Sequence, residues 1–90
     1  MTDIEDLPNL GPISAGWLRE VGLFSVEELR LAGPVAAFLS VRIHQLRASL
    51  NLLWALDAGL CGIHWTKLTP LRKEKLKSDL SRLSEIGDSS

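Results

Sequence analysis

From Leu50 to Cys61 the chain is apolar almost all round: Leu50, Leu52, Leu53, Trp54, Ala55, Leu56, Ala58 and Leu60 leave Asn51 and Asp57 as the polar interruptions. A helix with no polar stripe has to be surrounded by other elements. The pattern therefore predicts a central helix with Leu53, Trp54 and Leu56 in the core. Asn51 and Asp57 are expected to be buried hydrogen-bonding groups that fix neighbouring turns. Elsewhere apolar residues recur at three- and four-residue spacing. Val35, Phe38, Leu39, Ile43 and Leu46 predict one helix. Leu71, Leu76, Leu80 and Leu83 facing inward, with Arg72, Lys73, Lys75, Lys77 and Arg82 outward, predict a last amphipathic one. No alternation of period two persists, so the chain reads as all-α.

Glycine and proline punctuate this pattern. A short helix or turn is expected over about Ile4 to Leu10, and Gly11-Pro12 breaks it. Pro12 suits a first helical position, and the helix it opens runs to about Val21, with Gly22 beyond its end. Ser25-Val26-Glu27-Glu28 is a capping box for a third helix, which Gly33-Pro34 ends as Pro34 opens the fourth. No Gly or Pro marks the break between the fourth and central helices, although Ser49 is a candidate N-cap. Gly62 closes the central helix, and Thr69-Pro70 starts the last. The expected architecture is a small single-domain bundle of five to six short helices over residues 7–86. It contains a helix-hairpin-helix across Leu7 to Gly22, between a flexible acidic N-terminus at 1–6 and a frayed end at 87–90.

Composition narrows the function classes. Ninety residues with 46% hydrophobic content suffice for one domain with its own core. A single cysteine excludes an internal disulfide, and Cys61, in its apolar run, is expected to be a buried structural thiol. Asp3, Glu5 and Asp6 are unlike the start of a secretory signal. The longest apolar run falls short of the roughly 20 residues a bilayer requires. A cytoplasmic protein with no membrane partner is expected. The net charge of −1 hides an asymmetry: residues 1–30 hold six acids against two bases, and residues 66–90 six bases against four acids. A strong nucleic-acid binder carries a basic surplus. Around the hairpin it is missing.

Two blocks carry a family resemblance. Asn9-Leu10-Gly11-Pro12-Ile13-Ser14-Ala15, Trp17-Leu18, Val21-Gly22 and Ser25-Val26-Glu27-Glu28-Leu29 form the first. Ser49-Leu50-Asn51-Leu52-Leu53-Trp54-Ala55-Leu56 with Gly62-Ile63-His64-Trp65 forms the second, which is the more distinctive. Together they resemble the C-terminal domain of the TfoX/Sxy competence-regulator family over roughly residues 7 to 80. The resemblance implies an all-helical domain of helix-hairpin-helix type and a link to regulation of natural competence and DNA transformation genes. It also implies a transcriptional role alongside the cyclic AMP receptor protein. Many members of that family carry a separate N-terminal domain, whereas six residues precede Leu7 here.

The chemistry-bearing residues are few. In a helix-hairpin-helix the amides of Gly11, Ile13 and Ser14 can meet a phosphate, with Arg19 as the nearby cation. The apolar Ile13 and Asn9 in the first glycine position make this a poor clamp. Lys73 and Lys77, one turn apart, offer a second basic surface. Trp17 is expected to pack the hairpin on the central helix, and Trp65 to serve as a protein-contact anchor. His64 reads as a hydrogen-bonded turn residue. No metal-ligand spacing, nucleophile with a base, or glycine-rich phosphate loop is present. The expectation is a non-enzymatic regulatory interaction module with a protein partner or a homodimer, no cofactor and no small-molecule substrate. The alternative is a weak, non-specific DNA-binding domain.

Overall fold

Proline and glycine set the helix boundaries. The computed structural model describes residues 2–88, and side chains as far as residue 83. Five helices follow one another: α1 Pro12–Glu20, α2 Val26–Ala32, α3 Pro34–His44, α4 Leu50–Cys61 and α5 Pro70–Asp88. Two 3-10 turns, Ile4–Asp6 and Trp65–Lys67, complete the order. The protein is all-α, and the described residues hold one isolated antiparallel bridge, between Asp3 and Ser25. Pro12, Pro34 and Pro70 each open a helix, where no amide is lost. Ser25 caps α2: its hydroxyl accepts from the Glu28 amide at 3.1 Å and donates to the Glu28 carboxylate at 3.1 Å. At Gly62 the backbone turns left-handed (φ 74°), so that Gly62 and Ile63 N–H reach back to the carbonyls of Gly59 and Ala58. That is the Schellman arrangement, and it ends α4.

α3 lies against each of the other four helices, while α4 supplies the longest buried run, Leu52 to Trp54 and Leu56 to Gly59. Leu53 and Leu56 are fully buried and Trp54 nearly so; Ile4, Leu18, Leu29, Phe38, Val41 and Leu76 close the core around them.

Several expectations are corrected. The acidic start is folded: Ile4 is fully buried, its N–H donates to Phe24 O at 3.1 Å, and Val26 N–H donates to Thr2 O at 2.8 Å. The short helix or turn expected over about Ile4 to Leu10 is a 3-10 turn at Ile4–Asp6, so among the described residues an α-helix stands on only one side of the turn at residues 7–10. At the other end α5 extends through Gly87 and Asp88, whereas Ser89 and Ser90 lie outside the described residues. In α3, Ala37 and Val41 share the core stripe with Val35 and Phe38. Ile43 is exposed, and Leu46 falls in the turn after the helix and is also exposed. Asn51 is exposed at the open first turn of α4, and Cys61 is exposed at its last. On α5 the inward face is rotated. Leu71 is 82% exposed, while Arg72 turns toward α4, where Asp57 is 3% exposed. A buried carboxylate without a partner is costly, so the guanidinium takes the position the apolar pattern gives to leucine.

Candidate functional site

Leu7 and Pro8 lie directly on the last turns of α4, and Gly59 is what permits it. A Cβ at residue 59 would stand 2.6 Å from the Pro8 carbonyl oxygen and 2.8 Å from Leu7 Cγ. The next residue, Asn9, adopts a left-handed backbone (φ 73°), which asparagine tolerates better than most residues. Its side-chain amide then joins two distant turns. Asn9 Nδ2 donates to Ile63 O at 2.8 Å, and Trp65 N–H donates to Asn9 Oδ1 at 3.2 Å. The exit turn is fixed further by His64, whose Nδ1 accepts from Thr66 N–H at 3.3 Å.

Beside this junction opens a cleft of about 300 Å³, lined by Asn9, Ser14, Trp17, Arg47, Ser49, Asn51, Leu52, Ala55 and Trp65. Trp17 and Trp65 supply aromatic surface, Leu52 and Ala55 come from α4, and among the described residues Arg47 is the only charged one lining it. The α3–α4 loop that carries Arg47 is pinned. Arg42 Nη1 donates to Ala48 O at 2.8 Å, Ala48 N–H donates to Gln45 O at 3.0 Å, and the Ala48 side chain is buried. Arg47 itself makes no ion pair or hydrogen bond with another described side chain. The helices α1 and α4 both start at this cleft, and neither has a side-chain cap at Gly11 or Ser49. Their first amides therefore carry unspent donor capacity.

The residues singled out from the sequence fall in three places. Ser14 and Trp65 line the cleft, with Gly11 and Ile13 exposed beside Ser14 at the start of α1. Arg19 is committed elsewhere: Nη2 pairs with Asp3 Oδ1 and Nη1 with Glu5 Oε1, each at 3.0 Å. The Glu5 backbone amide, with Arg19, holds the Asp3 carboxyl below its ordinary range, and the Glu5 and Asp3 carboxylates raise Arg19 further. Lys73 Nζ lies 5.7 Å from the Trp54 ring centroid, a cation–π placement, and Lys77 is exposed one turn along α5. Trp17 is half-buried, packing on the core with one side and lining the cleft with the other.

Sequence reasoning missed Arg47, the joining role of Asn9, and the pairing of Arg72. Arg72 Nε and Nη2 donate to the two carboxylate oxygens of Asp57 at 2.9 and 2.6 Å, and this pairing raises the Arg72 pKa. Asp57 was a signal for the last of these, because a lone acid in an apolar helix calls for a cation. Among the described residues no three His, Cys, Asp or Glu side chains gather as a metal site. No described helix is long and apolar enough to cross a membrane.

Fold and cleft together define a small helical domain with a surface cleft of two tryptophans, neutral polar groups and one arginine among its described lining residues. The chain belongs to the TfoX C-terminal domain family, whose model matches residues 1–80. It is 30% identical over 73 residues to Protein Sxy of Escherichia coli (strain K12), a match covering 81% of this chain and 35% of Sxy. The chain thus spans about a third of the length of that curated relative. The fold is similar to a crystal structure of an uncharacterized protein from Listeria monocytogenes in a triclinic form. The TM-score is 0.82 at 28% identity, covering 92% of this chain and 94% of that one. A tetragonal form of a Listeria monocytogenes protein of unknown function gives 0.78 at 29% identity, covering 83% and 93%.

Proposed function

We propose that this protein is a non-enzymatic regulatory interaction module of competence-gene control, acting in the cytoplasm through protein contacts. Membership of a competence-related regulatory family supports the setting. The observation that carries the contact mechanism is the cleft between Trp17 and Trp65 with Arg47 at its edge. Tryptophan and arginine are the residue types that concentrate binding energy at protein interfaces, where they anchor in or around desolvated pockets. Here both are held by packed or pinned backbone, so little ordering would be required on binding. The basic residues support DNA binding less well, since Arg19 is engaged by two carboxylates and Lys73 sits over Trp54.

Sedimentation together with capture from a bacterial lysate tests this reading. The expected result is a specific captured protein or a self-associated species, lost by about tenfold or more in Trp65→Ala. Circular dichroism of the variant checks that the helices persist. A strict monomer that captures nothing overturns the proposal.

A further inference from the structure

We infer that the Trp17–Trp65 cleft recognises a peptide segment in which an apolar or aromatic side chain stands next to a carboxylate. The inference rests on the reading of this surface as a protein-contact site and names the chemistry of the partner. Three observations carry it.

The cavity, about 300 Å³, has room for a large side chain; two indoles with Leu52 and Ala55 supply its apolar half, and polar groups line the rest. Among the described residues Arg47 is its only charged group and is in no ion pair, so the charge complement is one anion, and no described lining acid competes for that arginine. Asn9, Ser14, Ser49 and Asn51 add neutral polar groups around it, which can orient a ligand that is part apolar and part polar. A guanidinium binds a carboxylate through paired N–H donors, and the contact strengthens where aromatic surface excludes water.

The same observations select a peptide over nucleic acid. A duplex presents a continuous row of phosphates and needs several cations to neutralise them. The cleft offers one, the Arg19 guanidinium is held by Asp3 and Glu5, and the exposed cations of α5 do not line this cavity.

The test uses the whole chain labelled with 15N and two small probes, N-acetylphenylalanine and its uncharged analogue N-acetylphenylalaninamide. The carboxylate probe is expected to shift the indole N–H signals of Trp17 and Trp65 and the backbone signals of Ser14 and Asn51, saturating in the millimolar range usual for a ligand of this size. The amide should bind about fivefold more weakly or worse. In Arg47→Gln that preference should fall below about twofold while the apolar contact persists. Trp54, in the core, reports any loss of folding in the variant.

Equal binding of the two probes overturns the inference, as does the absence of saturable shifts up to about 50 mM. So does a short DNA duplex that perturbs the same signals more strongly than the probe. Shifts of these residues with protein concentration alone overturn it in favour of a second copy. Lysate capture that survives Arg47→Gln without any probe preference sinks this inference and leaves the interaction module standing. A wild-type chain that stays a strict monomer and captures nothing removes the module itself.

Discussion

Helix α4 is gripped twice within three residues, by opposite means. At Gly59 the grip is steric: the Leu7-Pro8 backbone lies where a side chain would be, and neutral hydrogen bonds from Asn9 close the contact. At Asp57 it is electrostatic: a buried carboxylate receives two N–H donors from Arg72 of α5. The steric grip depends on an absence of atoms, so adding one disrupts it. The electrostatic grip depends on a pair, so removing one partner leaves the other worse than absent. The two sides of α4 should therefore fail in different ways.

Arg72→Ala should have the largest effect. Removing one partner of a buried pair costs about 3–5 kcal/mol in general. Because Arg72 is 42% exposed on its side chain, solvent relieves part of this, and about 2–3 kcal/mol is expected from urea unfolding. The double variant Asp57→Leu with Arg72→Met should recover most of the loss, and a double variant no more stable than Arg72→Ala would count against a role for charge.

Gly59→Ala comes next. Alanine favours helix by about 1 kcal/mol over glycine, so a free site would gain stability. Here its Cβ meets the Pro8 carbonyl oxygen, a backbone atom that cannot swing aside. A net loss of about 1–3 kcal/mol is expected, with the signals of Asn9 and Trp65 displaced. A more stable Gly59→Ala chain would show that residues 7–9 do not sit as described.

The smallest effect is on pH. The N-terminal segment is also held by Asp3, paired with Arg19, and by Glu27, whose carboxylate accepts from Thr2 N–H at 3.0 Å. Backbone amides lower both carboxyls beneath their ordinary values of 3.8 and 4.5: Glu5 N–H acts on Asp3 and Thr2 N–H on Glu27. A carboxyl lowered in the folded state stabilises it above the ordinary pKa and loses that contribution as pH falls through the lowered value. The protection factors of the Ile4 and Val26 amides, taken against the intrinsic exchange rate at each pH, should therefore fall below about pH 4, before those of the α4 amides do. Protection of Ile4 unchanged to about pH 3 would separate this segment's stability from its carboxylates.

The same contrast explains what the sequence made legible. Helix limits were readable because their causes are local: Pro12, Pro34, Pro70, Gly62 and the Ser25–Glu28 cap act within a few residues of where they stand. The all-α class and the family resemblance followed from them and from the Leu50–Cys61 run. The orientation of α5 was not readable from its own leucines, because the decision between Leu71 and Arg72 is made by Asp57, fifteen residues earlier. The folded N-terminus was equally hidden: its acids suggest a solvated tail, and only the placement of Arg19 and Glu28's cap residue Ser25 beside it shows what they bind. The cleft drew its walls from three separated stretches, and Arg47 had no local pattern to mark it.

That distribution ties the cleft to chain synthesis. Asn9 is made well before its hydrogen-bond partners Ile63 and Trp65, which follow it by 54 and 56 positions. Contacts of such separation close late, after local helices have formed. A nascent or truncated chain ending before Trp65 can form α1 to α4 and still lack one wall of the cleft. A partner that reads both tryptophans would thus engage only chains whose folding has reached the exit turn, so this surface reports that the distant walls of the cleft have met as well as serving as a point of contact.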